Sequence, residues 1–214
     1  VALENSSSYA LDETGAALAS SHSRLPDLVV RWDKGFGWGS MSIRGVTQET
    51  RVDDGVNGGQ ARGWGVGSTV FVKTRGNQDF LSVAVTYGDG IGRYFNYVEG
   101  AAFDSAGRKM LLEQALGIVA GYQYKVSPEL RFNLVYGYQQ NFDNGYTDFV
   151  RANGLDSGRF GVNRVVQQAH FGPIFTPVKG VDLGVEGIWA DRKTLANEHG
   201  EDIRLNFMAK YYIN

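Results

Sequence analysis

Six arginines, Arg31, Arg44, Arg93, Arg131, Arg164 and Arg204, together with His170 and Glu186, are the side chains here whose types suit work on a dissolved solute. A guanidinium presents a planar fork of donors that fits a carboxylate or phosphate in bidentate fashion, so several facing one space favour small anions. At an effective dielectric near 20, opposite unit charges about 4 Å apart gain roughly 4 kcal/mol before desolvation, and a cluster focuses the field further. The competing reading of each residue is structural. A wall arginine neutralised by Asp27, Asp33, Asp182, Glu186 or Asp202 stiffens its surroundings, and an exposed pair of that kind contributes little. Residue by residue the two readings balance; for the set, the solute reading weighs more. Arg93 with Arg164 is expected to lead it, and Asp89 or Glu99 is the competing anchor for Arg93.

The elements that must position these side chains read as long strands. From Ile203 to Ile213, residues Ile203, Leu205, Phe207, Ala209, Tyr211 and Ile213 alternate with Asp202, Arg204, Asn206, Met208, Lys210 and Tyr212. Strands of soluble sheets mostly run about five to six residues, whereas a tilted strand needs about nine to eleven to cross a bilayer. The same period of two runs through Leu28 to Asp33, Met41 to Gln48, Gly63 to Lys73, Leu81 to Tyr87, Leu116 to Lys125, Leu130 to Gln139, Arg164 to Phe175 and Val181 to Arg192, with a weaker strand over Val1 to Ala10. Tyrosines gather near strand ends, where a membrane interface would lie. With the apolar phase turned to lipid, where a charge at the midplane costs roughly 2 to 4 kcal/mol, all the named arginines except loop-borne Arg93 turn inward, with His170, Glu186, Lys125, Arg192 and Lys210. Arg44, Arg164 and Arg204 fall in the upper half of that wall. Basic groups exceed acidic ones there although the chain carries a net charge of −2, so the acids must be concentrated in loops.

The connections alternate. Tight turns are expected at Lys34 to Gly37, Arg75 to Asn77, Ser127 to Glu129 and Pro177 to Gly180, and longer polar loops at Leu11 to Leu25, Arg51 to Arg62, Gly88 to Leu111, Asn141 to Gly161 and Lys193 to Glu201. Alternating short and long connections are those of an up-and-down barrel with short periplasmic turns and long extracellular loops. The predicted fold is therefore all-β: an antiparallel up-and-down transmembrane β-barrel, or the ten-strand C-terminal part of a larger one, with residues 1–214 as one domain.

Composition excludes several classes. No apolar run approaches the roughly twenty residues of a spanning helix, no cysteine is present for a disulfide, and a net charge of −2 offers no surface for nucleic acid. The chain opens on Val1-Ala2-Leu3-Glu4, so a secretory signal is absent, removed or further upstream. Gly35-Phe36-Gly37-Trp38-Gly39 and Gly88-Asp89-Gly90-Ile91-Gly92 lack the strand-to-helix setting of a phosphate loop and read as turn glycine. Asp53 to Gly58 is acidic enough to suggest calcium but lacks the twelve-residue ligand spacing, which favours a solvated turn. No cofactor or metal is expected. His199 beside Asp191 or Glu201 gives the alternative class, an outer-membrane barrel hydrolase with a site at the extracellular rim; a structural barrel and a soluble β-sandwich are further competitors.

The runs YGDGIGRY (Tyr87 to Tyr94), VNRVVQQAHF (Val162 to Phe171), SPELRF and TPVKGVDLGVEGIW (Thr176 to Trp189), with VALEN at the start, resemble the C-terminal part of the DcaP-like family of trimeric outer-membrane porins. Members of that family resemble one another as sixteen-stranded barrels with a basic constriction, passing small dicarboxylates. The resemblance implies a homotrimer among outer-membrane lipids and lipopolysaccharide, with small anionic solutes as partners. It also implies about six further strands and an N-terminal helical segment upstream. A ten-strand piece starting in mid-barrel leaves two unpaired edges, which lipid does not tolerate, so either the sequence is partial or the piece closes on itself or on another chain. Asn214 stands where the family's terminal aromatic would be.

Overall fold

The computed structural model describes all residues except Ser7, Ser8, Ala19, Ser20, Asp54, Val56, Asn57, Tyr97 and Asn214, so the acidic turn weighed for calcium lies largely outside the described residues. The strands are β1 (Ala2–Glu4), β2 (Ser21–His22), β3 (Asp27–Phe36), β4 (Gly39–Asp53), β5 (Gly58–Thr74), β6 (Asp79–Asp89), β7 (Ala101–Asp104), β8 (Lys109–Leu112), β9 (Gln114–Lys125), β10 (Leu130–Asn141), β11 (Asn163–Val178), β12 (Val181–Thr194) and β13 (His199–Tyr211). A 3-10 turn covers Gly92–Tyr94 and a helix, α1, covers Gly145–Ala152. The main sheet runs β1-β3-β4-β5-β6-β9-β10-β11-β12-β13, with β2 added to β4, while β7 and β8 pair with each other. Every pairing between the named strands is antiparallel, and along the main sheet they follow one another in the expected up-and-down order. The sheet is open: β13 pairs only with β12 among the described residues.

Alternation along the strands sorts the two faces, because partners in an antiparallel pair share a face. Val185 opposite Phe207 and Trp189 opposite Ile203 place the apolar phase of β12 and β13 on one side. That side has no protein cover: Ile203 is 76% exposed, Phe207 75% and Tyr211 71%. A continuous apolar face of this kind is stable only against lipid or another protein.

Two expected loops turn out to be strand. Glu49 opposite Arg62, Arg51 opposite Gln60 and Asp53 opposite Gly58 carry the β4–β5 hairpin through the polar segment assigned to a loop. Likewise β12 and β13 run on to Lys193 opposite His199, closing through a turn in which Asn197 has φ +67. The reason is length: β4 has 15 residues and β5 has 17, beyond the roughly ten a membrane crossing needs, so their polar ends continue past the apolar band with their own partners. Arg51 there donates to Gln60 at 2.7 Å. The β5–β6 turn is tight, as expected, with Arg75, Gly76 and Asn77 all at positive φ.

The apolar core does not lie in the sheet but in the layer of loops at one end of it. One cluster joins Leu11, Ala102, Tyr146, Phe149, Val150, Val162 and Leu195; the other joins Ala10, Val52, Ala101, Phe103 and Met110. The two longest expected loops thus hold structure of their own, the β7–β8 hairpin and α1. Helix α1 starts at a capping box formed by Asn144 and Thr147 and buries Tyr146, Phe149 and Val150, spaced one helical turn apart.

Candidate functional site

The polar face of the sheet carries the candidate residues in register. Arg31 is opposite Arg44, Arg44 opposite Gly67, Gly67 opposite Thr86, Thr86 opposite Gly117, Gly117 opposite Gln139, and the row continues through Val166 to Arg192. His170 is opposite Ile188 and Ile188 opposite Arg204, while Glu186 lies two residues along from Ile188 on the same face. Arg131, opposite Lys125, also belongs to this face, and Arg164 precedes Val166 by two positions at the start of β11.

The excursion between β6 and β9 folds over this face, and glycines make room for it. Ile91, 2% exposed, packs where side chains at Gly65 and Gly88 would stand. A β-carbon at Gly63 would come 2.5 Å from the Gly90 carbonyl, and one at Gly117 would come 2.9 Å from the Phe95 ring. At Gly63 the neighbour is loop backbone, which leaves no room for a side chain, so the glycine face of β5 is a seat for the loop.

The loop is then tied down by charge. Arg93 reaches Asp27 at 3.3 Å and Glu4 at 3.9 Å and donates to the Asn5 carbonyl. Tyr94 Oη donates to Asp27 at 3.0 Å, and burial together with Asp27 and Glu4 raises its phenol above the ordinary tyrosine range. The anchor of Arg93 is therefore Asp27 on β3, not the nearby Asp89 or Glu99. Asp27 and Arg93 lie 66 positions apart, which is why sequence proximity misleads.

The remaining candidates fall into two kinds. Arg31 pairs with Asp33 at 2.7 Å, Arg131 with Asp182 at 2.7 Å, Arg164 with Asp143 at 2.9 Å, Arg204 with Asp202, and His170 Nδ1 lies 3.3 Å from Glu186. Arg44 differs. Its guanidinium donates to the hydroxyls of Thr69 at 3.0 Å and Thr86 at 3.3 Å, and no carboxylate lies within ion-pair distance among the described residues. It borders a cavity of about 240 Å³ between the wall and the folded loop, shared with Thr86, Tyr94, Phe95, Gln139 and Gln168. Of those neighbours the sequence reading selected none. The signal that would have pointed to them is the run of glycines at every second position from Gly63 to Gly67, which marks a face that something must approach closely.

The rim histidine lies on the other side. His199 Nδ1 is 3.7 Å from Asp191, and Asp191 also accepts from Gln167 at 3.2 Å. Register puts Asp191, opposite Gln167 and Glu201, on the apolar face, and Asp191 and Glu201 also border a cavity of about 510 Å³ with Arg159, Arg192 and Arg204. No group of three or more His, Asp or Glu side chains able to hold a metal occurs among the described residues.

An antiparallel up-and-down sheet with an uncovered apolar face, a polar face and a loop folded over the latter defines the wall of an outer-membrane β-barrel. The chain belongs to the DcaP outer membrane protein family, which it matches over residues 12–213. Its structure is similar to that of the outer membrane channel DcaP of Acinetobacter baumannii, with TM-score 0.79 and 28% identity over 98% of this chain and 56% of that one. The NanC porin is a more distant likeness, at TM-score 0.43 and 10% identity over 91% of this chain and 95% of that chain. The chain thus spans little more than half the length of the DcaP channel it matches. Among curated proteins, none matches the sequence.

Proposed function

We propose that this protein is part of an outer-membrane channel for passive uptake of small anionic solutes, dicarboxylates among them, and is not an enzyme. Arg44 carries this reading. It is the one candidate arginine that faces a cavity beneath the folded loop without a carboxylate partner, so its charge remains available to a passing anion. Gln168 lines the same cavity and offers an amide donor to a second carboxylate. Arg31, Arg131, Arg164 and Arg204, with His170 and Glu186, complete the pore lining. Their charge is largely balanced by neighbours, and they set the background field. Arg93 and Arg164 hold loops in place.

The two open edges of the sheet are closed by strands outside this chain, residues 1–214 forming part of one barrel domain. The assembly is a homotrimer set among outer-membrane lipids and lipopolysaccharide. The tight turns face the periplasm and the core-bearing loops face outward.

Liposome swelling with a dicarboxylate tests the division of labour. The Arg44→Ala channel should lose most of its preference for the dicarboxylate over an uncharged solute of equal size, whereas the Arg93→Ala, Arg164→Ala double variant should keep that preference. Unchanged preference in Arg44→Ala would remove this residue from the solute path.

A further inference from the structure

Glu113 lies between β8 and β9, in the loop layer beyond the strands, and is 1% exposed. Its backbone holds both the start and the middle of the folded loop: Gly90 N–H donates to its carbonyl at 2.9 Å, and its own N–H donates to the Gly100 carbonyl at 2.9 Å. Its carboxyl accepts from Gly100 N–H at 2.7 Å and from Asn141 Nδ2 at 2.6 Å. Asn141, at the end of β10, donates in addition to the Asn163 carbonyl at the start of β11 at 2.7 Å. One buried side chain therefore joins the loop over the polar face to the two strands behind it.

The groups facing Glu113 are acids and a neutral amide. Glu99 approaches it from the loop, Tyr146 from α1 and Asn141 from β10, and Tyr9 from the N-terminal segment adjoins Glu99. The cations of the adjoining segments are engaged elsewhere, Arg93 by Asp27 and Glu4, and Arg151 and Arg164 by Asp143. We infer that Glu113 is a proton-operated clasp: with its carboxyl neutral it keeps the loop folded over the polar face, and on losing the proton to water it lets the loop lift and the pore widen. The widening rests on the channel reading above; the clasp itself does not.

Burial, with Glu99 adding to it, pushes the Glu113 carboxyl up from 4.5 to about 8. A lifted loop would return it to the ordinary carboxylate range, so the folded arrangement is favoured most in acid. It weakens as pH rises from that range towards about 8, and weakens no further above it.

A nitroxide at Asn96→Cys, in a chain with no native cysteine, reports loop mobility by spin-label line shape in the complete reconstituted channel, alongside single-channel conductance. Between about pH 5 and about pH 9, a range that brackets the transition of a raised carboxyl, the mobile spectral component and the conductance should both rise. In Glu113→Gln both should stay at their acid values. In Glu99→Gln, which removes the neighbouring charge at an exposed position, both should rise less than in the parent; this variant serves if Glu113→Gln does not assemble. A loop that stays immobile throughout in the parent, or that loosens equally in Glu113→Gln or Glu99→Gln, overturns the clasp. Loosening without a conductance change keeps the clasp and overturns the reading of this loop as the pore's constriction.

Discussion

Ile91 occupies the hollow that the missing side chain of Gly65 leaves on the polar face of β5. A loop residue is buried on a strand glycine, so the path of the loop over the polar face is set by what the wall lacks. Gly65→Val should expel Ile91 and loosen the loop while the sheet, which gains a β-branched residue, keeps its melting temperature. Ile91→Ala should loosen the same loop by on the order of 2 to 5 kcal/mol, the usual range for a buried large-to-small change. Single-channel conductance checks both: larger and noisier currents are expected from each, and wild-type currents from Gly65→Val would show that the hollow does not hold the loop.

Arg131 and Asp182 make a second kind of contact. Asp182, 4% exposed, accepts from Arg131 at 2.7 Å, from Thr176 at 2.5 Å and from Tyr212 at 3.1 Å, which ties β10, β11 and the end of the chain to β12. Asp182→Asn should destabilise the folded sheet by about 1 to 3 kcal/mol, the cost of a spoiled buried acceptor, and should raise the anion preference, because Arg131 loses its balancing charge. Urea unfolding from detergent or bilayer measures the first, and reversal potentials the second.

Asp143 anchors α1 to the start of β11 through Arg151 and Arg164. The Arg151 hydrogen bond, reinforced by Arg164, holds its carboxyl below the ordinary aspartate range. Its folded pKa is thus below its unfolded one, so its contribution is complete above the ordinary range and is lost as pH falls through the lowered value. Amide exchange of α1, corrected for the intrinsic rate, should quicken relative to the sheet below about pH 4, where carboxylates begin to protonate. Asp143→Asn should show the quickened rate already at neutral pH; equal protection of α1 in parent and variant would contradict the anchor.

The strands were legible because lipid on one side and a polar space on the other impose a period of two that composition cannot hide. Leu130 to Gln139 appears within β10 and Ile203 to Tyr211 within β13, with the faces expected, while Tyr212 and Ile213 lie beyond the strand. The hairpin ends of β4, β5, β12 and β13 were not legible, since a strand paired above the membrane has no reason to alternate: Arg51, Asp53, Gln60 and Arg62 look like loop. The partners of the arginines were harder still. Pairing Arg93 with Asp27, or seating Ile91 on Gly65, requires the path of a loop over a face, and no local pattern states that path.

The proposed orientation has its own test. A membrane-impermeant thiol reagent added to intact cells should label a cysteine at Gly154, just beyond α1, and should leave one at Pro128, in the β9–β10 turn, unlabelled. The opposite pattern would invert the barrel.

On the proposed reading the polar face passes anions, and Arg44 is the charge they meet. The most direct measurement is the reversal potential of the complete channel in a planar bilayer under a potassium chloride gradient, for the parent and for Arg44→Ala. An anion-selective potential is expected in the parent, moving towards zero in Arg44→Ala. A cation-selective parent, or a variant whose potential does not move, would contradict it.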